Sequence, residues 1–296
     1  MARLEIEDTG SVDAPVVLLI AGLGEQLTRW PEALIAELHQ RGLRVVRFDN
    51  RDAGLSESFP TPQTEDLRSF GRAMAGGGKV ELPYSLDDMA GDVLGVLDAL
   101  HIRSANLLGV SLGAMIAQLV AARRPAAVSS LTLAMTSSGE PQYARPTPQV
   151  LMALLGGATG SAEDQAVKRR LAWARSLTGP AYPIDAKAVE EAARRDYHRA
   201  HTPGGTLRQI GAALVQGDRR AELGRVCAPT EIVHGANDPL LHLAGAQSVA
   251  DAIPGARLTV IDGMGHDLPP ALMHQLLAAF DRALERSAAG ASTPVC

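Results

Sequence analysis

The chain has 296 residues, 46% of them hydrophobic and 21% charged, which suits a globular protein of one large domain or two smaller ones. Its net charge of −5 leaves no basic footprint for nucleic acid and no polybasic reason to seek an anionic membrane. Two cysteines, Cys227 and Cys296, are too few for a disulfide framework and lack metal-ligand spacing.

The opening Met1-Ala-Arg-Leu-Glu-Ile-Glu-Asp carries a charge at almost every second position and has none of the apolar core of a signal peptide. The longest apolar run, residues 15–21, is about a third of the length a membrane span needs. The expectation is a cytoplasmic protein that binds neither nucleic acid nor membrane, with its oligomeric state open.

In chain order, residues 16–20 form the first β-branched apolar run, followed by a glycine turn and a helical pattern over 31–40. Residues 43–48 read as the next strand. Proline and glycine crowd the stretch 60–83, which is expected as a loop. Ser85 can cap a helix running to Leu100, with Asp87 and Asp88 near its positive end. Residues 105–109 form a third strand, and a helix over 112–123 stops at Pro125. Further strands are expected at 131–134, 230–233 and 257–261, and Cys227 is read as a small core residue beside one of them. Apolar strands alternating with helices predict an α/β fold: a mostly parallel central sheet with helices on both faces. Its active site belongs at the carboxyl ends of the strands. Residues 138–222 carry helical patterns and no strand, so they are expected as a helical cap inserted into a core of 1–137 and 223–287. The small, polar tail 288–296 should fray.

Gly109-Val-Ser-Leu-Gly113 matches G-x-S-x-G. The match arises by chance in about one chain in seven of this length. Its setting carries the weight, because it joins an apolar strand to an apolar helix. There a serine on a sharp turn needs small neighbours, and the helix N-terminus can stabilise negative charge. Ser111 is therefore the expected nucleophile.

A serine needs a base, most often histidine, held by a carboxylate. Asp238 follows the strand at 230–233 and His266 follows the last strand, in the chain order nucleophile, acid, base. Asp262 is a distant second as the acid, and Asp267 is expected to point elsewhere. His234 is expected to pack near its turn, while His101, His198, His201, His242 and His274 fall in helices, the cap or its flanks. The oxyanion donors are expected to be the backbone N–H groups of Leu112 and of Leu23, in the loop Ala21-Gly-Leu-Gly24. The reaction requires no metal and no organic cofactor, and its partner is a small-molecule ester.

These motifs, with Asp49-Asn-Arg-Asp-Ala-Gly-Leu-Ser56, resemble the cap-bearing α/β hydrolases over residues 15–285. Within them, Arg47-Phe-Asp-Asn-Arg-Asp-Ala-Gly and Tyr84-Ser-Leu-Asp-Asp-Met-Ala are similar to the aclacinomycin methylesterase group. That resemblance implies the α/β-hydrolase fold and a carboxylesterase, with methyl esters of bulky acids as one precedent. Lactonase, carbon–carbon hydrolase, perhydrolase and acyltransferase activities share such a triad, and a catalytically silent binding protein is the rival outside enzymes. Two positions depart from the pattern. Ala21 stands where most of the superfamily has histidine, and Asp52 replaces a glycine; Arg51 and Asp52 are expected to brace loops near the site.

Overall fold

The computed structural model describes residues 2–60, 82–155, 160–202 and 204–290. Seven strands form one sheet in the order β1-β3-β2-β4-β5-β6-β7. They are β1 (Ile6–Thr9), β2 (Val16–Ile20), β3 (Arg44–Phe48), β4 (Ala105–Val110), β5 (Val128–Ala134), β6 (Thr230–Gly235) and β7 (Arg257–Ile261). All neighbours are parallel except β1, which runs antiparallel to β3. The expected α/β fold is present.

Strand β1 has no counterpart among the expected elements, and its charges explain why. Glu7 sits opposite Arg47 in the ladder and pairs with it at 2.6 Å, and Asp8 pairs with Arg44. Opposite charges facing each other across an edge make a strand from a sequence with little apolar signal.

The period of two in β2 builds both cores. Leu18 and Ile20 face one side with Phe48, Leu107 and Leu131, while Val17 and Leu19 face the other with Val45 and Leu108. The first face is covered by α2 (Leu86–Ala99), α3 (Leu112–Arg123) and, later in the chain, α9 (Leu243–Ala252). The second is covered by α1 (Glu32–Gln40) and α10 (Met273–Gly290), which place Leu34, Ile35, Leu38, Leu276 and Phe280 against it. Helix α2 starts in a capping box: the Asp88 N–H donates to Ser85 Oγ, and the Ser85 N–H donates to Asp88.

Between β5 and β6 the described residues form α4 (Pro148–Leu155), α5 (Ala162–Leu177), α6 (Ala186–Arg199), α7 (Gly205–Gln216) and the short α8 (Arg220–Leu223). This helical insert is tied to the loop after β3. Arg208 of α7 donates twice to Asp52, at 2.7 and 2.8 Å, with both side chains buried. Asp52 has φ 65°, the left-handed backbone suited to the glycine it replaces. Burial alone would raise its carboxyl, but Arg208 and the Phe59 N–H hold it below the usual range. Arg199 of α6 reaches Asp49 at 2.7 Å in the same loop. Arg51 donates instead to buried Asp92 of α2. The expectation that Arg51 and Asp52 brace loops thus describes what they touch.

Removing one partner of a buried ion pair leaves the other charge without compensation. Arg208→Leu should therefore lower stability by about 3–5 kcal/mol in urea unfolding. Adding Asp52→Asn to that variant should recover part of the loss.

Two expectations need correction. Cys227 is exposed on the approach to β6, because its neighbours Val226 and Ala228 take the inward positions. The tail is still helical at 288–290, as the last turn of α10. Residues 291–296, with Cys296, and most of the loop expected at 60–83 lie outside the described residues. Among the described residues no helix is long and apolar enough to cross a membrane.

Candidate active site

Ser111 occupies the turn between β4 and α3 with φ 54° and ψ −115°. A non-glycine residue in this region costs roughly 1–3 kcal/mol, and here the surroundings impose it. A Cβ on Gly109 would come within 2.6 Å of the Gly113 carbonyl, and one on Gly113 would run into the Ile20 carbonyl of β2. Both glycines are therefore required by close backbone approach. Hydrogen bonds from the Ser111 N–H to Ala134 O (2.8 Å) and from the Met115 N–H to Ser111 O (3.1 Å) fix the turn from either side.

Ser111 Oγ lies 2.8 Å from His266 Nε2, and His266 Nδ1 lies 2.7 Å from Asp238 Oδ2. Asp238 is fully buried, and its Oδ1 accepts the N–H groups of Leu240 and Leu241, each at 2.8 Å. Burial alone would raise its carboxyl, but His266, His234 and the Leu241 N–H hold it below the usual carboxylate range. A carboxylate fixed in this way orients the imidazole with its proton on Nδ1, leaving Nε2 free to accept from the serine.

The loops that carry Asp238 and His266 are tied to each other: the Asn237 N–H donates to Met264 O (3.0 Å) and the Gly263 N–H to Asn237 Oδ1 (3.1 Å). The His266 N–H donates to Leu177 O at the end of α5 (2.8 Å), so the helical insert also holds the loop of His266. A Cβ on Gly265 would run into the same Leu177 carbonyl.

The Leu112 N–H opens α3 and has no intrahelical acceptor. Leu23 follows Gly22, where a Cβ would lie 3.6 Å from Ser111 Cβ, so this loop sits beside Ser111. With alanine at position 21, two side chains hold the loop. Asn50 Nδ2 donates to Ala21 O (3.1 Å), and buried Gln209 of α7 accepts from the Gly24 N–H (2.8 Å) while donating to Arg51 O (2.8 Å). Nothing in the sequence singles out Gln209, since a glutamine on an amphipathic helix carries no local signal.

Asp262 and the competing histidines lie elsewhere, with one exception. Asp262 is exposed, as are His101, His198, His201, His242 and His274. His242 serves its own helix, its Nδ1 accepting from the Ala244 N–H at the start of α9. His234 is the exception: it is fully buried and lies 3.4 Å from Asp238 Oδ2.

A cavity of about 640 Å³ opens over Ser111 and His266 between sheet and insert. Leu23, Trp30, Met135, Trp173, Leu177 and Met273 supply much of its apolar wall. Also lining it, Arg170 of α5 pairs with Glu25 at 2.6 Å, another tie between the insert and the loop after β2. A second cavity of about 460 Å³, beside Glu140 and Arg220, holds none of these groups. Among the described residues no cluster of three or more His, Cys, Asp or Glu side chains could hold a metal ion.

Asp267, expected to point elsewhere, also lines the large cavity. Burial pushes its carboxyl up to about 6, against the pull of His266, and its Oδ1 has no partner among the described residues. A group raised on folding binds its proton more tightly in the native state, so its ionisation destabilises the fold as pH rises from about 4 through 6. The penalty is at most ~3 kcal/mol, and partial solvation of the side chain reduces it. Asp267→Asn should therefore raise the melting temperature at pH 7–8, with the gain fading towards pH 4.

An α/β hydrolase fold model matches residues 15–269. Two rhodomycin D methylesterases are similar along most of their length. DauP of Streptomyces sp. (strain C5) is 32% identical and DnrP of Streptomyces peucetius 31%, each match covering 90% of both chains. Among solved structures, a hydrolase from Pseudomonas aeruginosa PA01 superposes with a TM-score of 0.68 at 26% identity, over 97% of this chain and 94% of its own.

Proposed function

We propose that this chain, which belongs to the α/β-hydrolase family, is a carboxylic ester hydrolase that works through an acyl-enzyme on Ser111. The observation that carries the reading is the continuous relay from Ser111 Oγ to His266 to Asp238, at 2.8 and 2.7 Å, at the floor of an apolar cavity.

In this mechanism His266 Nε2 takes the hydroxyl proton as Ser111 Oγ attacks the ester carbonyl. Asp238 stabilises the imidazolium that forms, and the N–H groups of Leu23 and Leu112 receive the oxyanion. His266 then gives its proton to the departing alcohol. Water, activated by the same imidazole, cleaves the acyl-enzyme and restores the serine.

The methylesterase names of the two Streptomyces relatives support methyl esters as the substrate class. The cavity volume suits an acid larger than acetate, because pockets of this size enclose drug-sized molecules. A panel of esters graded separately by acyl and alcohol size tests the reading. Turnover of methyl esters with bulky apolar acyl groups is the expected result. A strong preference for small acyl groups would contradict the substrate class, and no turnover of any ester would favour a silent binding protein.

A further inference from the structure

His234 is the second-to-last residue of β6, four residues before Asp238, and takes no part in the proton relay. Its Nε2 lies 3.1 Å from the Leu241 carbonyl and 3.4 Å from Asp238 Oδ2. Carbonyl oxygens only accept, so Nε2 carries the ring proton and donates it to the Leu241 carbonyl, with Asp238 Oδ2 beside that N–H. Nδ1 is buried and has no hydrogen-bond partner among the described residues. A cationic ring would bury a second N–H without an acceptor, so the geometry keeps this imidazole neutral. Burial acts in the same direction, lowering the ring's proton affinity against the pull of Asp238, with His266 and His242 adding to it.

Leu241 is bonded on both sides of this arrangement: its N–H donates to Asp238 Oδ1, and its carbonyl accepts from His234. The ring therefore closes the loop 235–241 around the carboxylate. Asp238 Oδ2 stands between two imidazoles, His266 at 2.7 Å and His234 at 3.4 Å.

We propose that His234 is a positioning residue for the relay, a neutral buried donor that shares the charge of Asp238 and holds the loop carrying it. The inference rests on the ester-hydrolase reading. Without this donor the carboxylate would hold the His266 imidazolium more tightly, and His266 would release its proton less readily to the leaving alcohol. The charged groups facing His266 are Asp238, Asp267 and Glu25, and those facing His234 are Asp238, His266 and His242. All of them are retained when position 234 alone is changed.

The test compares the full-length wild type, His234→Phe and His234→Gln. It reads kcat and kcat/KM against pH on one ester, together with fluorophosphonate labelling of Ser111. For His234→Phe, kcat should fall about 10-fold with KM near wild type, and the acid limb of kcat/KM should move to higher pH. Glutamine keeps an N–H donor and should restore both. An unchanged rate and acid limb in a His234→Phe protein that still labels at Ser111 would overturn this inference alone. A wild type that neither labels nor turns over ester would overturn the parent reading with it. Should His234→Phe not fold, ¹⁵N NMR of the wild type carries the test. A neutral Nε2–H ring between pH 5 and 8 upholds the proposal, and an Nδ1–H tautomer or a titration in that range overturns it.

Discussion

Ser111→Ala is expected to lower kcat by about 10⁴-fold or more, equivalent to roughly 5 kcal/mol of transition-state stabilisation. The loss should be this large because the relay acts as a unit. Without Oγ, His266 has no proton to take, and Asp238 orients an idle imidazole. What survives is the contribution of the oxyanion donors and of substrate binding. Alanine must adopt the same left-handed backbone at φ 54°, so the turn keeps its strain and the melting temperature should change little. Steady-state kinetics on a chromogenic ester, paired with a thermal melt, checks both halves. Near-normal turnover by the variant would remove Ser111 from the chemistry.

The second large effect belongs to Asp238→Asn, expected to lower kcat by on the order of 10³–10⁴-fold. The substitution keeps size and shape but can present an amide N–H to His266 Nδ1. That nitrogen must then accept, the ring proton moves to Nε2, and Nε2 can no longer take the proton of Ser111. Asp262→Asn serves as the control, because Asp262 is exposed while Asp238 is fully buried. Equal losses, or a larger one at Asp262, would reassign the acid.

What the sequence made legible follows from where its signals are local. Ser111 announces itself through two glycines whose need is backbone contact within one turn and with one neighbouring strand. Asp238 and His266 each follow an apolar strand, so their places at one sheet edge could be read from order alone. Strand β1 could not, because its stabilising partners, Arg44 and Arg47, lie some forty residues away. The same holds for Gln209, nearly two hundred residues from the Gly24 N–H it receives. His234 is expected to pack near its turn and does so against the Leu241 carbonyl, but its place beside Asp238 has no local signature, because only the folded loop brings the two together. Cys227 shows the converse error, since nearness to a strand says nothing about which side of the chain turns inward.

The insert holds the sheet edge that carries Ser111 and His266 at several points as well as covering it. Leu177 holds the loop of His266, Gln209 the loop after β2, and Arg199 and Arg208 the loop after β3. Changes in the insert should therefore reach the rate as well as the choice of substrate.

Reaction of the full-length protein with a fluorophosphonate, followed by peptide mass mapping, tests the nucleophile most directly. The reagent requires an activated serine and no knowledge of the natural ester. One adduct at Ser111, absent from the Ser111→Ala variant and nearly absent from Asp238→Asn, is the predicted result. No adduct, or an adduct at a serine other than Ser111, would contradict the assignment.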